Sequence, residues 1–157
     1  MTTRAQFNAD EWAVVTTAPV LAGTLVIAAD RGGSVRESLA MSQTYAAARA
    51  QEPGELLAAI LATPPSMTPA NAPKTPEDLQ QVVPAELRRS LRILERLATD
   101  DELVAYKRFV YGLAEAVARA HKEGGFLGIG GKEISAAEQA ALDQIAAIFD
   151  EPVPVQE

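Results

Sequence analysis

Five carboxylates fall at two loops of this chain: Asp30 and Glu37 around the first, and Glu123, Glu133 and Glu138 around the second. An all-oxygen donor set suits a hard cation, so calcium or magnesium is the ion such a cluster would take. The spacing matches no EF-hand. Glu37 and Glu138 also have a ready backbone role, since each stands three residues after a serine, Ser34 and Ser135. In that pattern a glutamate returns a hydrogen bond to the amide of the residue that caps its helix. Zinc chemistry is closed, because the chain has no cysteine and one histidine, whereas zinc asks for three or four such ligands. That histidine, His121, stands four residues after Val117, where a half-buried ring or a cap on the last helical carbonyls is the ordinary expectation. Triads built on a thiol or a second histidine are excluded, and serine–lysine chemistry stays open.

Two other patterns invite a ligand. The segment Gly124-Gly125-Phe126-Leu127-Gly128-Ile129-Gly130-Gly131-Lys132 has the glycine content of a phosphate loop. A Walker loop, however, needs Ser or Thr after its Gly-Lys and an earlier glycine where Phe126 stands, and Glu133 follows Lys132 here. The glycines are better read as supplying turns while Phe126, Leu127 and Ile129 dock on the core. Arg88, Arg92 and Arg96 fall four apart on one helix face, with Arg89 beside them, and could receive an anionic partner. The competing expectation is a solvated face paired with Glu86, Glu95 and the acids at 100–102.

The elements that must position these groups are helical. At 157 residues the chain suits one domain with a sizeable core. Aromatic residues make up 5 % and alanine abounds, which suits closely packed helices better than strands. The absence of cysteine fits a reducing, cytoplasmic setting. A net charge of −7 repels phosphate backbones and argues against a nucleic-acid partner. The run from Ala13 to Ala29 carries no charge and approaches the length of a membrane span. Thr16, Thr17, Pro19 and Gly23 interrupt it, and the acids Asp10, Glu11 and Asp30 flank it with the wrong sign for a signal peptide. A central core helix, with no membrane span, is therefore expected.

Capping boxes mark four helix starts: Asn8 with Glu11, Ser34 with Glu37, Thr99 with Glu102, and Ser135 with Glu138. They predict helices over about 9–29 (bent near Pro19), 35–50, 100–122 and 136–149. Pro53 at a first-turn position opens a short helix carrying Leu56, Leu57, Ile60 and Leu61. Prolines make 63–76 an extended connection, with a helical turn near 77–82. Pro84 then opens a long helix with Leu87, Leu91, Leu94 and Leu97 on one face. The longest apolar stripe is Leu103, Tyr106, Val110, Leu113 and Val117. The chain thus reads as an all-α, single-domain bundle of five to seven helices over 1–150. Its halves, 8–62 and 76–149, are joined by the proline-rich connector, and 151–157 form a flexible tail.

Each half contains an apolar helix, a loop with acid and glycine, and a Ser-x-x-Glu helix start, which suggests two repeated hairpin units. The first reads Ala29-Asp30-Arg31-Gly32-Gly33-Ser34-Val35-Arg36-Glu37; the second runs from Ala120-His121-Lys122-Glu123-Gly124 to Lys132-Glu133-Ile134-Ser135-Ala136-Ala137-Glu138. This pattern resembles the tellurite-resistance-B-like (TerB-like) helical domains of bacteria. The resemblance implies an all-helical fold with paired hairpins and a stress-linked or scaffold role, and names no reaction. It departs at His121, which stands where an aspartate is common, and at the inserted glycine loop.

A non-catalytic helical interaction or stress-associated module follows as the first functional expectation, with a protein partner or a second copy of the chain. The alternative is a divalent-ion-binding protein using the loop carboxylates, with calcium or magnesium. A third is a small-ligand binder or enzyme with a pocket between the halves lined by Tyr106, Phe109 and Tyr111.

Overall fold

The charge-free run forms one helix, α1 (Ala9–Ala29), at the centre of an all-helical bundle. The computed structural model describes residues 1–29, 35–65, 72–122 and 134–151. Five further helices follow: α2 (Val35–Ala50), α3 (Glu55–Ala62), α4 (Pro76–Leu97), α5 (Asp100–Lys122) and α6 (Ala136–Phe149). No strand occurs among the described residues. Helix α1 is long and apolar enough to cross a membrane, but 67 % of its apolar window is buried inside the chain. It packs chiefly on α4 and α5, and also on α6. Pro19 lies inside it and is buried. Gly23 lets α2 come close, since a Cβ there would stand 3.1 Å from the Met41 sulfur.

Three of the four expected capping boxes are present. Asn8 and Glu11 exchange bonds of 3.0 and 2.8 Å, Thr99 and Glu102 of 2.9 and 3.3 Å, and Ser135 and Glu138 of 3.0 and 3.1 Å. Ser34, of the fourth, lies outside the described residues. Two proline-based expectations need correction. Pro53 does not open α3; it precedes Gly54, which caps the helix at φ +87°, a left-handed conformation that favours glycine. Pro84 does not open α4 either. The helix starts eight residues earlier, at Pro76, where Thr75 and Asp78 form a capping box with aspartate in the glutamate position. Pro84 then lies buried mid-helix. The carbonyl it leaves without an amide donor belongs to Gln80, an exposed residue that water can serve.

Along α5 the stripe of Tyr106, Val110, Leu113 and Val117 is buried, with Leu103 half-buried at its start. The Tyr106 hydroxyl donates to the Val15 carbonyl at 2.9 Å and pins α5 to α1. Partnerships cross the two halves: α1 lies mainly on α4 and α5, and α2 lies mainly on α5 rather than on α1. The halves therefore share one core.

Candidate functional site

Of the five carboxylates at the predicted loops, Glu37 and Glu138 are described, and both are buried at 2 % exposure. The caps Glu11 and Glu102 are half-buried by comparison. Asp30, Glu123 and Glu133, the whole glycine loop and the side chain of His121 lie outside the described residues, as do the two loops that carry the TerB-like pattern. Among the described residues, no group of three or more His, Cys, Asp or Glu side chains could hold a metal ion.

The arginine stripe on α4 is tied to acids, but mostly not to those expected. Arg88 grips Glu151 with two bonds, Nε to Oε2 at 2.9 Å and a terminal nitrogen to Oε1 at 2.8 Å. Those bonds hold the Glu151 carboxyl below its ordinary range and push the Arg88 guanidinium higher. Arg96 pairs with Glu11 at the start of α1, and Arg89 with Glu86 at 3.8 Å. The stripe therefore fastens α4 to α1 and to Glu151, two residues beyond α6. Arg92 is exposed and has no partner among the described residues.

The three aromatic residues expected to line one pocket are separated. Tyr106 is buried at 1 % exposure. Burial pushes its phenol up, the neighbouring Ser90 hydroxyl works against that, and nearby Tyr45 adds to the rise. It reaches a small cavity of about 210 Å³ beside Met1, Leu56, Ile60 and Glu102. Phe109 lies at a different groove, and Tyr111 lines neither.

Two larger grooves, each of about 380 Å³, flank α2. The first lies between α2 and the end of α3, walled by Val20, Met41, Tyr45, Leu61 and Pro65. Its one cation, Arg49, donates to the Leu61 carbonyl at 3.2 Å and so serves the last turn of α3. The second runs between α2 and α5. Leu57, Phe109 and Pro53 give it an apolar lining, and Thr44, Ala47, Ala48, Ala105 and Gly112 keep it open. Tyr45 and Phe109 meet edge to face at 5.1 Å and hold the two helices together beside it. Gly112 is exposed in mid-helix, and a Cβ there would meet nothing within 4 Å. Glycine in a helix interior costs about 0.5–1 kcal/mol against alanine. No neighbour among the described residues requires that cost at this position. Arg108 also lines this groove, exposed and without an acid partner among the described residues.

Sequence reasoning passed over this groove. Its signals were a glycine inside the helix with the longest stripe, and the Ala46-Ala47-Ala48 run on α2, where side chains too small to fill a surface leave one open. On the same two helices, Leu39 at 54 % and Val104 at 52 % exposure stand out as large exposed apolar side chains. No family model matches the chain, and comparison with curated proteins and with solved structures finds no match.

Proposed function

We propose that this protein is a non-catalytic helical interaction module that docks a partner in the groove between α2 and α5. The observation that carries the reading is Gly112, an exposed mid-helix glycine facing open space in an apolar groove. A missing side chain there lets another backbone approach closely, the usual use of small residues where helices pack. Helix α2 adds an uncharged outward row at Leu39, Gln43, Ala46 and Ala50, all exposed. Depletion of charge is the compositional mark of an interface core.

A photoreactive phenylalanine analogue at rim positions tests this, with adducts collected in the cells that make the protein. Gln43 and Val104 serve as rim positions and Gln80, on α4, as the control. Adducts are expected from the rim and not from the control, and Gly112→Trp should abolish them by filling the groove while the protein stays folded. An adduct of twice the chain mass would make the partner a second copy. Adducts that persist in the filled-groove variant, or that form equally from Gln80, would overturn the reading.

A further inference from the structure

Resting on that reading of the groove, we infer the chemistry of its partner: an amphipathic helix with an apolar ridge flanked by acidic residues. Arg88, Arg89, Arg96 and Arg119 each have a carboxylate within 4 Å, Arg4 and Arg49 serve backbone carbonyls, and Arg92, exposed on α4, has no partner among the described residues. Arg108 has no carboxylate among them either, and its place sets it apart, since no described residue lining its groove is acidic. The helix-surface positions three and four away, Ala105, Tyr111, Val104 and Gly112, cannot pair with it either. A chain of net charge −7 thus presents, at the edge of an apolar groove, an exposed cation with no carboxylate partner among the described residues.

The dimensions of the groove set the size of the partner element. The groove spans residues 44–51, from α2 to the turn that follows it, and 105–112 of α5. Eight helical residues extend about 12 Å, or two turns, which seats two or three ridge side chains of a docked helix. Ala47, Ala48 and Gly112 admit the ridge to the backbone, and Leu57 and Phe109 receive its apolar side chains. An acidic residue flanking the ridge then meets the Arg108 guanidinium, which can bind a carboxylate through two parallel N–H bonds. A basic partner would leave Arg108 facing like charge.

Titration of the isotope-labelled full chain with three stapled helical peptides of about 18 residues, or five turns, tests this. The peptides share a leucine–alanine ridge and carry Glu, Gln or Lys along its flanks. Salt of about 0.15 M screens the net charge of the chain beyond about 8 Å, so that local contact decides. The Glu peptide is expected to shift amides in 44–51 and 105–112 and to bind about tenfold more tightly than the Lys peptide. Arg108→Gln should remove the preference for Glu over Gln while the ridge still binds. A Lys peptide that binds as well as Glu, or a preference that survives Arg108→Gln, overturns the acidic partner and leaves the groove reading standing. Failure of all three peptides also overturns it, while rim cross-linking decides the groove itself.

Discussion

The Thr2 hydroxyl donates to one oxygen of the Glu102 carboxylate at 2.6 Å, and the Thr2 amide donates to the other at 2.9 Å, across 100 positions of chain. Glu102 also accepts from the Thr99 amide, so one carboxylate caps α5 and moors the segment before α1. The same Thr2 hydroxyl lies 3.1 Å from the Leu97 carbonyl, and Thr2 is buried.

This carboxylate should make stability depend on acid. Burial pushes the Glu102 carboxyl up, but hydrogen bonds from the Thr2 hydroxyl, the Thr99 and Thr2 amides and the Thr99 hydroxyl outweigh it and hold it at about 2 rather than 4.5. A carboxyl lowered by folding stabilises the native state fully above its unfolded value, and that contribution fades as pH falls from 4.5 towards 2. Because the group is partly open to solvent, we expect about 1–2 kcal/mol rather than the full shift. Wild type should exceed Glu102→Gln by that amount in urea unfolding at neutral pH. The gap should close between pH 4.5 and 2.

Gly112→Ala should stabilise the protein by about 0.5–1 kcal/mol, because the new methyl enters open space and removes a helix-interior glycine. Gly23→Ala should gain less, since its methyl would press on the Met41 side chain at 3.1 Å. Thermal melts of the two variants check the order. A destabilised Gly112→Ala would mean that something inside the chain does occupy that space.

The Arg88–Glu151 pair is bidentate yet about 43 % exposed on both sides. A double-mutant cycle should give a coupling of about 0.3–1 kcal/mol that shrinks as salt is raised. Arg92→Ala, on the same helix face but without a partner among the described residues, should change stability by less than about 0.5 kcal/mol. A larger effect at Arg92 than at Arg88 would contradict the assignment of the stripe to fastening α4.

Helix existence was legible where two local signals agreed. Asn8, Thr99 and Ser135 each precede a glutamate by three residues and open an apolar period, and all three helices begin there. Thr75 was missed because Asp78 replaces the glutamate, and Pro84 misled because its ring usually ends a helix. Here the buried Leu79, Val83 and Leu87 carry the helix through, so packing outweighs one lost hydrogen bond. The partners of Arg88 and Arg96 were not legible, since Glu151 and Glu11 lie far off in sequence and only the fold brings them near. The groove was hidden for a related reason. Alanine and glycine read as good and poor helix formers in a sequence, and become an open surface only once α2 is laid on α5.

The two tyrosines near the bundle centre should respond oppositely to loss of the hydroxyl. Tyr106 is bonded to the Val15 carbonyl, so Tyr106→Phe should cost about 1 kcal/mol, the usual net worth of such a bond. The Tyr45 hydroxyl is buried with no partner among the described residues, and burial pushes its phenol up to about 12. Leaving that donor unpaired carries a desolvation penalty, so Tyr45→Phe should be neutral or stabilising by up to about 1 kcal/mol. Alkali provides a second reading. A phenol raised by folding stays neutral in the native state, so its contribution is whole below 10, the unfolded value, and is lost as pH rises towards 12. Urea unfolding at neutral pH should therefore favour Tyr45→Phe slightly, and the advantage should widen above pH 10 as the unfolded wild-type phenol ionises. If Tyr45→Phe is instead clearly destabilised at neutral pH, its hydroxyl has a bonding partner in solution, such as an ordered water between Tyr45 and Tyr106.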